Sequence, residues 1–407
     1  MSFNKKNNLE NIIIYFFIIS VLFFPVKFFN IYHIIIILPI LFLSYIKNFK
    51  IEKNIYAFFI LLFIIYWIIS SSIRFFISGD NLRDALETFR FIPIFLFFLY
   101  KKCFIIKKQS LYNIFIVYIV LNSFLCFLQY YYKSDSTIVN FIAYFYNSDI
   151  HFNESLLLNS RALGFSMGPN SNAVIILLCL FFIFFKYKPT SKLQSFLKYI
   201  TITLGIISLI LSQSQTGIIA LIAISIYLIV MYFIKKPQII TVCTLFITFF
   251  AVIIIANTSL LDKLSDKNGG LYYLSTLFKQ GTERSSYQIR IEKRNAMIDT
   301  AISKPFYSFI GWGKDYFGDE SSATDNEHLY IALIYGPIIW ILILSVAFYY
   351  GSIYTIKYLY SKNFELLLVP TTMLCWVIVA IPAAFITYPE ALILSALLLN
   401  NSKRYEY

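Results

Sequence analysis

Long apolar runs recur along the whole chain and constrain its fold more than any other feature. Stretches such as 55–78 and 216–234 are long enough to cross a bilayer, which takes roughly 20 apolar residues in a helix. Only 14% of the 407 residues are charged, while 59% are apolar and 19% are aromatic. A soluble protein needs a more polar surface than this composition can supply. The sequence therefore predicts an all-α, polytopic integral membrane protein.

Twelve apolar segments are candidates for transmembrane helices. The first has no small-residue cleavage site and runs directly into a second apolar segment, so we interpret it as a span and not as a signal peptide. The pair 199–212 and 216–234 is either a helical hairpin or partly re-entrant. The predicted spans are 12–29, 31–46, 55–78, 88–100, 111–132, 171–185, 199–212, 216–234, 238–257, 329–350, 364–388 and 390–400.

These spans predict two membrane parts separated by a long polar insert. Residues 1–257 hold nine spans and a periplasmic loop at about 133–170, residues 258–328 form a large periplasmic loop, and residues 329–407 hold three spans and a cytoplasmic tail. Within the large loop, residues 282–304 are typical of an amphipathic helix. Its apolar side carries Ile291, Met297, Ile298 and Ile302, and Arg290 and Arg294 share one face because they are four residues apart.

Basic residues are distributed unevenly between the segments that connect the spans. With a cytoplasmic N-terminus, the inner segments carry 19 of the 34 basic residues but only four of the 21 acidic ones. Cytoplasmic segments are normally enriched in lysine and arginine, so both termini are predicted to be cytoplasmic. The same distribution explains the net charge of +13 by topology and anionic lipid, without nucleic acid as a partner.

Arginine is concentrated on the predicted outer side. Of the 19 inner basic residues 18 are lysine, whereas the remainder of the chain carries seven arginines. A guanidinium binds phosphate or carboxylate through two parallel hydrogen bonds and keeps its charge, so this set indicates an anionic ligand such as a pyrophosphate. The alternative is ordinary ion pairing with outer acids, as for Arg83 and Arg90 around Glu87. The seven are Arg74, Arg83, Arg90, Arg161, Arg284, Arg290 and Arg294.

The common nucleotide-binding and nucleophile motifs are absent from the sequence. Its three histidines and five cysteines lack metal-site spacing, and no Asp-x-Asp pair occurs. Ionisable residues are few at the centres of the spans, where ion-coupled transporters usually keep them. These features favour a reaction on lipid-linked material at the outer surface, with no metal and no cofactor.

Three stretches resemble the bacterial O-antigen polymerase and ligase superfamily. The first, "RALGFSMGPNSNAVIIL" (161–177), is similar to the Arg-x-x-Gly … Pro-Asn segment of an outer loop that re-enters the membrane. The second, "LSQSQTGIIALI" (211–222), is similar to a Ser-x-Ser-Arg turn between two spans, but Gln215 stands where the family often has arginine. The third runs from Arg290 to Gly313 and is similar to an Arg … Pro-x-x-Gly-x-Gly pattern.

The stretch "TDNEHLYIALIYGPIIW" (324–340) distinguishes the two branches of that superfamily. Ligases tend to carry His-Asn about eleven residues before a glycine of a span, and counting back from Gly336 reaches Asp325 and Asn326. This version resembles the polymerase (Wzy-type) branch. The resemblance implies a GT-C-like glycosyltransferase of the bacterial inner membrane that acts in lipopolysaccharide biosynthesis and has a periplasmic active site.

The resemblance also implies a reaction: a growing glycan moves from undecaprenyl pyrophosphate to a hydroxyl of the next lipid-linked repeat unit. The lipid-linked donor and acceptor are then the expected partners, with membrane lipid and a chain-length regulator as further candidates. Arginines would stabilise the leaving pyrophosphate, and an outer side chain would activate the acceptor hydroxyl. The expected residues are Arg161, Arg284, Arg290 and Arg294 for pyrophosphate, Asp325, Glu327 and His328 for catalysis, and Asn170, Gln215 and Asn326 in support.

Other roles remain open for some of these residues and for the chain. Asp325 is also placed to cap a helix that begins at about Asn326. Asn170 and Asn172 are placed to cap the span at 171–185. The functional alternatives are an O-antigen ligase that transfers glycan to lipid A–core and a transporter of lipid-linked oligosaccharide.

Overall fold

The computed structural model describes residues 2–46, 55–78, 82–104, 108–234, 285–303, 305–313 and 326–402. All regular structure in these ranges is helical, which confirms the predicted all-α class. Their α-helices are α1 (Ser2–Phe23), α2 (Phe29–Ile46), α3 (Ile55–Ser78), α4 (Ile92–Leu99), α5 (Lys108–Tyr132), α6 (Thr137–Tyr146), α7 (Pro169–Lys186), α8 (Lys192–Ser212), α9 (Gln215–Phe233), α10 (Ser285–Ser303), α11 (Pro305–Ile310), α12 (Glu327–Tyr330), α13 (Pro337–Ser361), α14 (Leu368–Val379) and α15 (Pro389–Ser402).

Seven helices in the described part of the chain are long and apolar enough to cross a membrane, and these are α2, α3, α5, α7, α8, α9 and α13. A polytopic membrane protein is therefore confirmed. The count of twelve spans and the GT-C architecture stay predictions. The predicted span 238–257 lies outside the described residues, as do most of the large loop and the C-terminal residues 403–407.

Helix α7 lies at the centre of the bundle. It packs against α5, α8, α9, α14 and α15, and Phe184 is its only exposed residue. Its sequence is apolar on every side after the first turn, as expected for a helix surrounded by others. Pro169 stands in the first turn, where the missing N–H group leaves no hydrogen bond unmade. The predicted span 171–185 agrees with this helix within two residues.

The predicted span 88–100 is wrong in length. Residues Leu82–Arg90 form a 3-10 helix, and α4 covers only eight residues after it. Eight residues rise about 12 Å along a helix, which is too short to cross a bilayer. Pro93 favours a new helix start here, because its ring is tolerated in the first turn of a helix but not in its interior.

The predicted span 329–350 begins earlier and is broken. Its helix starts at Glu327, winds as a π-helix over Ile331–Tyr335 and stops at Gly336. The φ of +99° at Gly336 is a conformation that other residues rarely adopt. Pro337 then begins α13, which continues to Ser361.

The predicted span 364–388 is also broken. Residues Phe364–Leu367 form a 3-10 turn, α14 ends at Val379, and residues 380–388 are irregular. Pro382 lies near the start of this irregular segment, and Pro389 directly follows it. Since proline removes a backbone donor and clashes with the preceding helical turn, a continuous helix through 380–388 is disfavoured.

Candidate active site

Segment 159–168, which carries the first motif, lies inside the bundle against α5. Buried backbone groups need hydrogen-bond partners, and a loop cannot supply them by itself. The fully buried Gln129 side chain on α5 does so: its Oε1 accepts from the N–H groups of Leu163 and Gly164, both at 2.8 Å. The segment is thus attached to a spanning helix by a neutral amide.

Two further buried amides hold the same segment. Asn122 Oδ1 accepts from the Phe165 N–H group at 3.0 Å. Asn147 Nδ2 donates to the carbonyl oxygens of Gly164 at 3.3 Å and Ser166 at 2.6 Å. We refer to Asn122, Gln129 and Asn147 as the amide cradle. All its members are fully buried, so the loop is held by side chains that carry no charge.

Gly164 is the glycine of the Arg-x-x-Gly motif, and two constraints explain it. Its φ is +56°, in the left-handed region that side chains disfavour. A Cβ atom here would lie within 2.5 Å of Asn172 Oδ1 and still closer to Asn122. The motif therefore needs glycine so that the loop can approach the amides.

Arg161 joins the first motif to the second. The residue is 8% exposed, and its Nη2 donates to Asn170 Oδ1 at 3.4 Å. The same oxygen accepts from Ser214 Oγ at 2.9 Å, and Ser214 also caps α9 through the N–H group of Gly217. Gln215 is the first residue of α9, directly after Ser214. The structure thus brings Arg161, Asn170 and the turn before Gln215 together.

Asn170 and Asn172 do not cap α7. The hydroxyl of Ser171 exchanges hydrogen bonds with the backbone of Gly168, which is the N-cap residue. Asn170 contacts Arg161 and Ser214, as above, while Asn172 Oδ1 accepts from Asn122 Nδ2 at 3.0 Å. The capping alternative is therefore wrong for both asparagines.

The predicted amphipathic helix is present as α10, and Arg290 and Arg294 lie one helical turn apart on it. Met297 is 1% exposed and packs in the core, but Ile302 is 71% exposed, so the apolar side is narrower than predicted. Arg294 is half-buried. Arg284 lies outside the described residues, and of Arg290 only the backbone is described.

Arg74 has a structural role. This arginine is 1% exposed and pairs with Asp84 at 3.3 Å. Its Nη1 also donates to the carbonyl oxygen of Gly311 at 2.7 Å, and the Cβ of any residue at 313 would collide with Asp84. Arg74 therefore attaches the Gly311–Gly313 turn of the third motif to α3. For Arg74 the ion-pair alternative is confirmed.

Of the 325–328 cluster the structure describes residues 326–328, and their side chains form hydrogen bonds with backbone groups. Asn326 is the N-cap of α12, and its Oδ1 accepts from the Leu329 N–H group at 3.0 Å. Asp325, the residue that the sequence offers as an alternative cap, lies outside the described residues.

Glu327 is 3% exposed and its carboxylate accepts five hydrogen bonds. Three come from consecutive backbone N–H groups of residues 385–387, at 2.6 to 3.0 Å. The other two come from Thr387 Oγ1 at 2.7 Å and Trp376 Nε1 at 3.2 Å. Such a set of donors compensates the cost of burying a charge. It also occupies the lone pairs that a general base would use, so Glu327 organises segment 380–388.

His328 is similarly engaged. Its Nε2 lies 3.0 Å from the carbonyl oxygen of Val377, and its Nδ1 accepts from Trp340 Nε1 at 3.3 Å. Because a carbonyl can only accept, these contacts fix the tautomer with the proton on Nε2. The ring then bridges α12, α13 and α14.

Arg90 reaches this cluster from the 3-10 helix before α4. Its Nη2 lies 3.4 Å from Glu87, which confirms that part of the predicted ion pair; the side chain of Arg83 lies outside the described residues. Its Nη1 donates to the carbonyl oxygen of Thr387 at 3.3 Å. Thr387 thus contacts Glu327 through its donors and Arg90 through its acceptor.

Tyr388 and Glu390 are functional candidates that the sequence analysis did not identify. Glu390 is 3% exposed and its carboxyl accepts from the Tyr388 hydroxyl at 2.7 Å. That hydroxyl lies beside Ser166 and Ser171 of the first motif. Segment 380–390 therefore links the first motif to the Glu327 cluster. An acidic residue directly after Pro389, inside an apolar run, was the signal available in the sequence.

Comparison with known proteins agrees with this assembly of motifs. No curated protein matches the chain in a sequence search. Residues 200–337 match the family model Wzy_C, described as O-Antigen ligase. The matched region covers about one third of the chain and contains the second motif, the third motif and the Asp-Asn-Glu-His cluster. This match to residues 200–337 bears out the predicted resemblance to the O-antigen polymerase and ligase superfamily.

Proposed function

We propose that the protein is a polysaccharide polymerase of the bacterial inner membrane. It transfers a growing glycan from undecaprenyl pyrophosphate to a hydroxyl of the next lipid-linked repeat unit. The new glycosidic bond forms as the bond to pyrophosphate breaks, and undecaprenyl pyrophosphate leaves with the electron pair. The hydroxyl proton passes to a base, and the reaction uses no metal or nucleotide.

The observation that carries this proposal is the convergence of the motifs. The family match contains the second and third motifs. The first motif lies outside the match, yet Arg161 shares Asn170 with Ser214 of the second motif. The fold thus supports one composite site to which Arg161 contributes.

In this proposal the arginines bind the pyrophosphate. Arg161 acts from the buried loop, and Arg284, Arg290 and Arg294 act from α10 and the residue before it. A guanidinium matches the paired oxygens of a phosphate and stays charged at any physiological pH. Fixed positive charge beside a leaving pyrophosphate stabilises the charge that develops on it.

The base is proposed among Asp325, Glu327 and His328. The carboxylate of Glu327 and both ring nitrogens of His328 are occupied by contacts within the fold. These contacts favour Asp325 as the proton acceptor, with Glu327 and His328 as positioning residues. In the sequence, Asp325 directly precedes Asn326, the N-cap residue of α12.

Ligation is the second candidate function, because the matched family model is described as O-Antigen ligase. A ligase uses the same donor and transfers the glycan to lipid A–core. The Asp325-Asn326 pair in place of His-Asn favours the polymerase.

The test is a reaction of the purified full-length protein with a synthetic undecaprenyl-pyrophosphate oligosaccharide of the cognate pathway, in EDTA and without nucleotide. A ladder of products on a gel is the expected result. Transfer only to added lipid A–core establishes the ligase. Neither product, from folded protein with cognate substrate, overturns both functions and favours transport.

Variants then test the arginines. Arg161→Ala and Arg290→Ala are expected to lower the rate of polymer formation by about 100-fold, since each removes a donor to the leaving group. Arg161→Lys keeps the charge and distinguishes loss of charge from loss of the fold. Arg404→Ala, in the predicted cytoplasmic tail, is the matched control. Unchanged polymer yield in Arg290→Ala overturns the arginine assignment.

A further inference from the structure

An open cleft of about 640 Å³ lies at the opposite, lysine-rich end of the bundle. It is formed by the end of α7, the start of α8 and the turn between α13 and α14. Lys188, Lys198 and Lys362 line it. This site is separate from the motifs of the proposed reaction and does not depend on that reaction.

One buried acid lies behind a larger number of lysines at this cleft. Glu365 is 4% exposed and pairs with Lys108 at 2.6 Å, Lys188 at 3.2 Å and Lys186 at 3.5 Å. A single carboxylate therefore faces three ammonium groups. The excess positive charge extends into the cleft, whose protein walls focus the field of the lysines.

Two lysines add to this excess. Lys198 donates to the carbonyl oxygens of Tyr187 at 2.8 Å and Phe184 at 3.3 Å, which holds its ammonium group at the cleft wall. Lys362 is exposed and ends α13 in a left-handed conformation, with φ of +56°. Among the described residues, no carboxylate forms an ion pair with either lysine.

The cleft also has an aromatic wall. Phe184, the only exposed residue of α7, is 43% exposed here. Its ring centroid lies 5.5 Å from that of Phe364, and the ring centroid of Phe364 lies 5.0 Å from that of the buried Phe185. Lysines beside an apolar wall match an amphiphile with a negative head and an apolar chain. Basic pockets between helices bind anionic lipid headgroups in the same way.

We propose that this cleft binds the phosphate headgroup of an anionic phospholipid. Lys188, Lys198 and Lys362 contact the phosphate, and an acyl chain lies along Phe184 and Phe364. Several ammonium groups converging on one cavity distinguish this site from the general excess of lysine that topology produces.

The experiment measures lipid binding to the full-length protein in neutral detergent. Phosphatidylglycerol and phosphatidylcholine are titrated separately, with native mass spectrometry and the unfolding temperature as readouts. We expect phosphatidylglycerol to bind at least about tenfold more tightly, because each lysine near a lipid phosphate favours the anionic lipid. The preference should decrease with added salt. Equal affinity for the two lipids overturns the proposal.

Variants locate the site. Lys198→Gln with Lys362→Gln should lower the affinity for phosphatidylglycerol by about 30-fold, since about one kcal/mol is lost for each lysine and about 1.4 kcal/mol corresponds to a tenfold change. Lys362→Gln alone changes an exposed side chain and keeps the test valid if the double variant does not fold. Lys192→Gln, an exposed lysine in the first turn of α8 outside the cleft, is the control. Wild-type affinity in the Lys362→Gln variant contradicts the assignment.

A third arm separates lipid from free phosphate. Inorganic phosphate is added at millimolar concentration to the detergent-purified protein. The lipid proposal predicts that phosphatidylglycerol raises the unfolding temperature further than saturating phosphate does, since phosphate alone makes no contact with the aromatic wall. A saturable rise that phosphatidylglycerol cannot exceed indicates a soluble phosphate ligand and overturns the lipid part.

Discussion

Two irregular segments lie inside this helical bundle, and opposite kinds of side chain hold them. Segment 159–168 accepts or donates five hydrogen bonds with the amide cradle, Asn122, Gln129 and Asn147. Segment 380–388 and Trp376 give the same number to the single carboxylate of Glu327. The first segment is thus held by three neutral side chains, and the second by one charged side chain.

The difference is consistent with what each segment carries. Segment 159–168 carries Arg161, and a neutral support places no fixed negative charge beside an arginine that is proposed to bind pyrophosphate. Segment 380–388 carries no arginine, and a carboxylate is the strongest acceptor for a row of backbone N–H groups. Charge is therefore used for support where it does not compete with the proposed ligand.

Glu327→Gln should have the largest effect. An amide at this position has one acceptor oxygen, and its NH₂ group faces donors, so at least two of the five hydrogen bonds are lost. Hydrogen bonds to a charged group are worth about 1.5–3 kcal/mol each, so we expect a loss of about 3–5 kcal/mol in the free energy of unfolding. The unfolding temperature in detergent measures it.

The control is Glu292→Gln, a change at an exposed glutamate of α10 that should leave the unfolding temperature unaltered. Activity and stability must fall together if Glu327 positions segment 380–388. A variant with the wild-type unfolding temperature and no polymerase activity would instead make Glu327 the base, and the comparison between the two supports would not hold.

Gln129→Leu should have an intermediate effect. It leaves the N–H groups of Leu163 and Gly164 buried without an acceptor, while Asn122 and Asn147 still hold the segment. We expect a loss of about 2 kcal/mol, which is the cost of leaving buried donors unpaired. The same change at Gln109, an exposed residue of α5, is the control. A loss of stability as large as that of Glu327→Gln would show that Gln129 supplies most of the stabilisation and that the three amides do not share it.

Part of this arrangement could be predicted from the sequence. The apolar run of α7 and the Gly336-Pro337 break are local features, and their physical causes can be identified from neighbouring residues. The resemblance to the family identified the first two motifs separately, and the structure joins them, since Arg161 and Ser214 share Asn170 as a partner. Pro382 and Pro389 also indicate a break at segment 380–388, although the apolar run 364–388 around them predicts a continuous span.

The role of a charged residue was harder to predict, because it depends on partners far away in the chain. Arg74 donates a hydrogen bond to Gly311, which is 237 residues away, and Glu327 accepts one from Thr387, which is 60 residues away. The sequence shows that such residues are charged, but not whether the fold already satisfies them. The amide cradle escaped prediction for the same reason: three neutral amides on separate elements form no pattern along the chain.

A further buried carboxylate, Glu365, sharpens the comparison with the smallest expected effect. Burial on its own would raise the pKa of Glu365, but hydrogen bonds from Lys108 and Lys188 and the charge of Lys186 lower it below its usual value. A lowered pKa in the folded state means that the ion pairs stabilise the protein above the unfolded pKa, and that this stabilisation is lost as the pH falls through the folded pKa. Glu365→Gln should therefore be less stable than the wild type by about 1–2 kcal/mol at pH 7, a modest amount because Lys188 is 79% exposed.

The gap in unfolding temperature between wild type and Glu365→Gln should close as the pH falls below about 4.3, the ordinary pKa of a glutamate. Glu154→Gln, at an exposed glutamate, controls for general acid effects. A gap that stays constant down to pH 3 would mean that the lysines hold Glu365 by packing and not by charge. Glu365 would then stabilise the fold as a neutral side chain does, and charge would not be what distinguishes the carboxylate supports from the amide cradle.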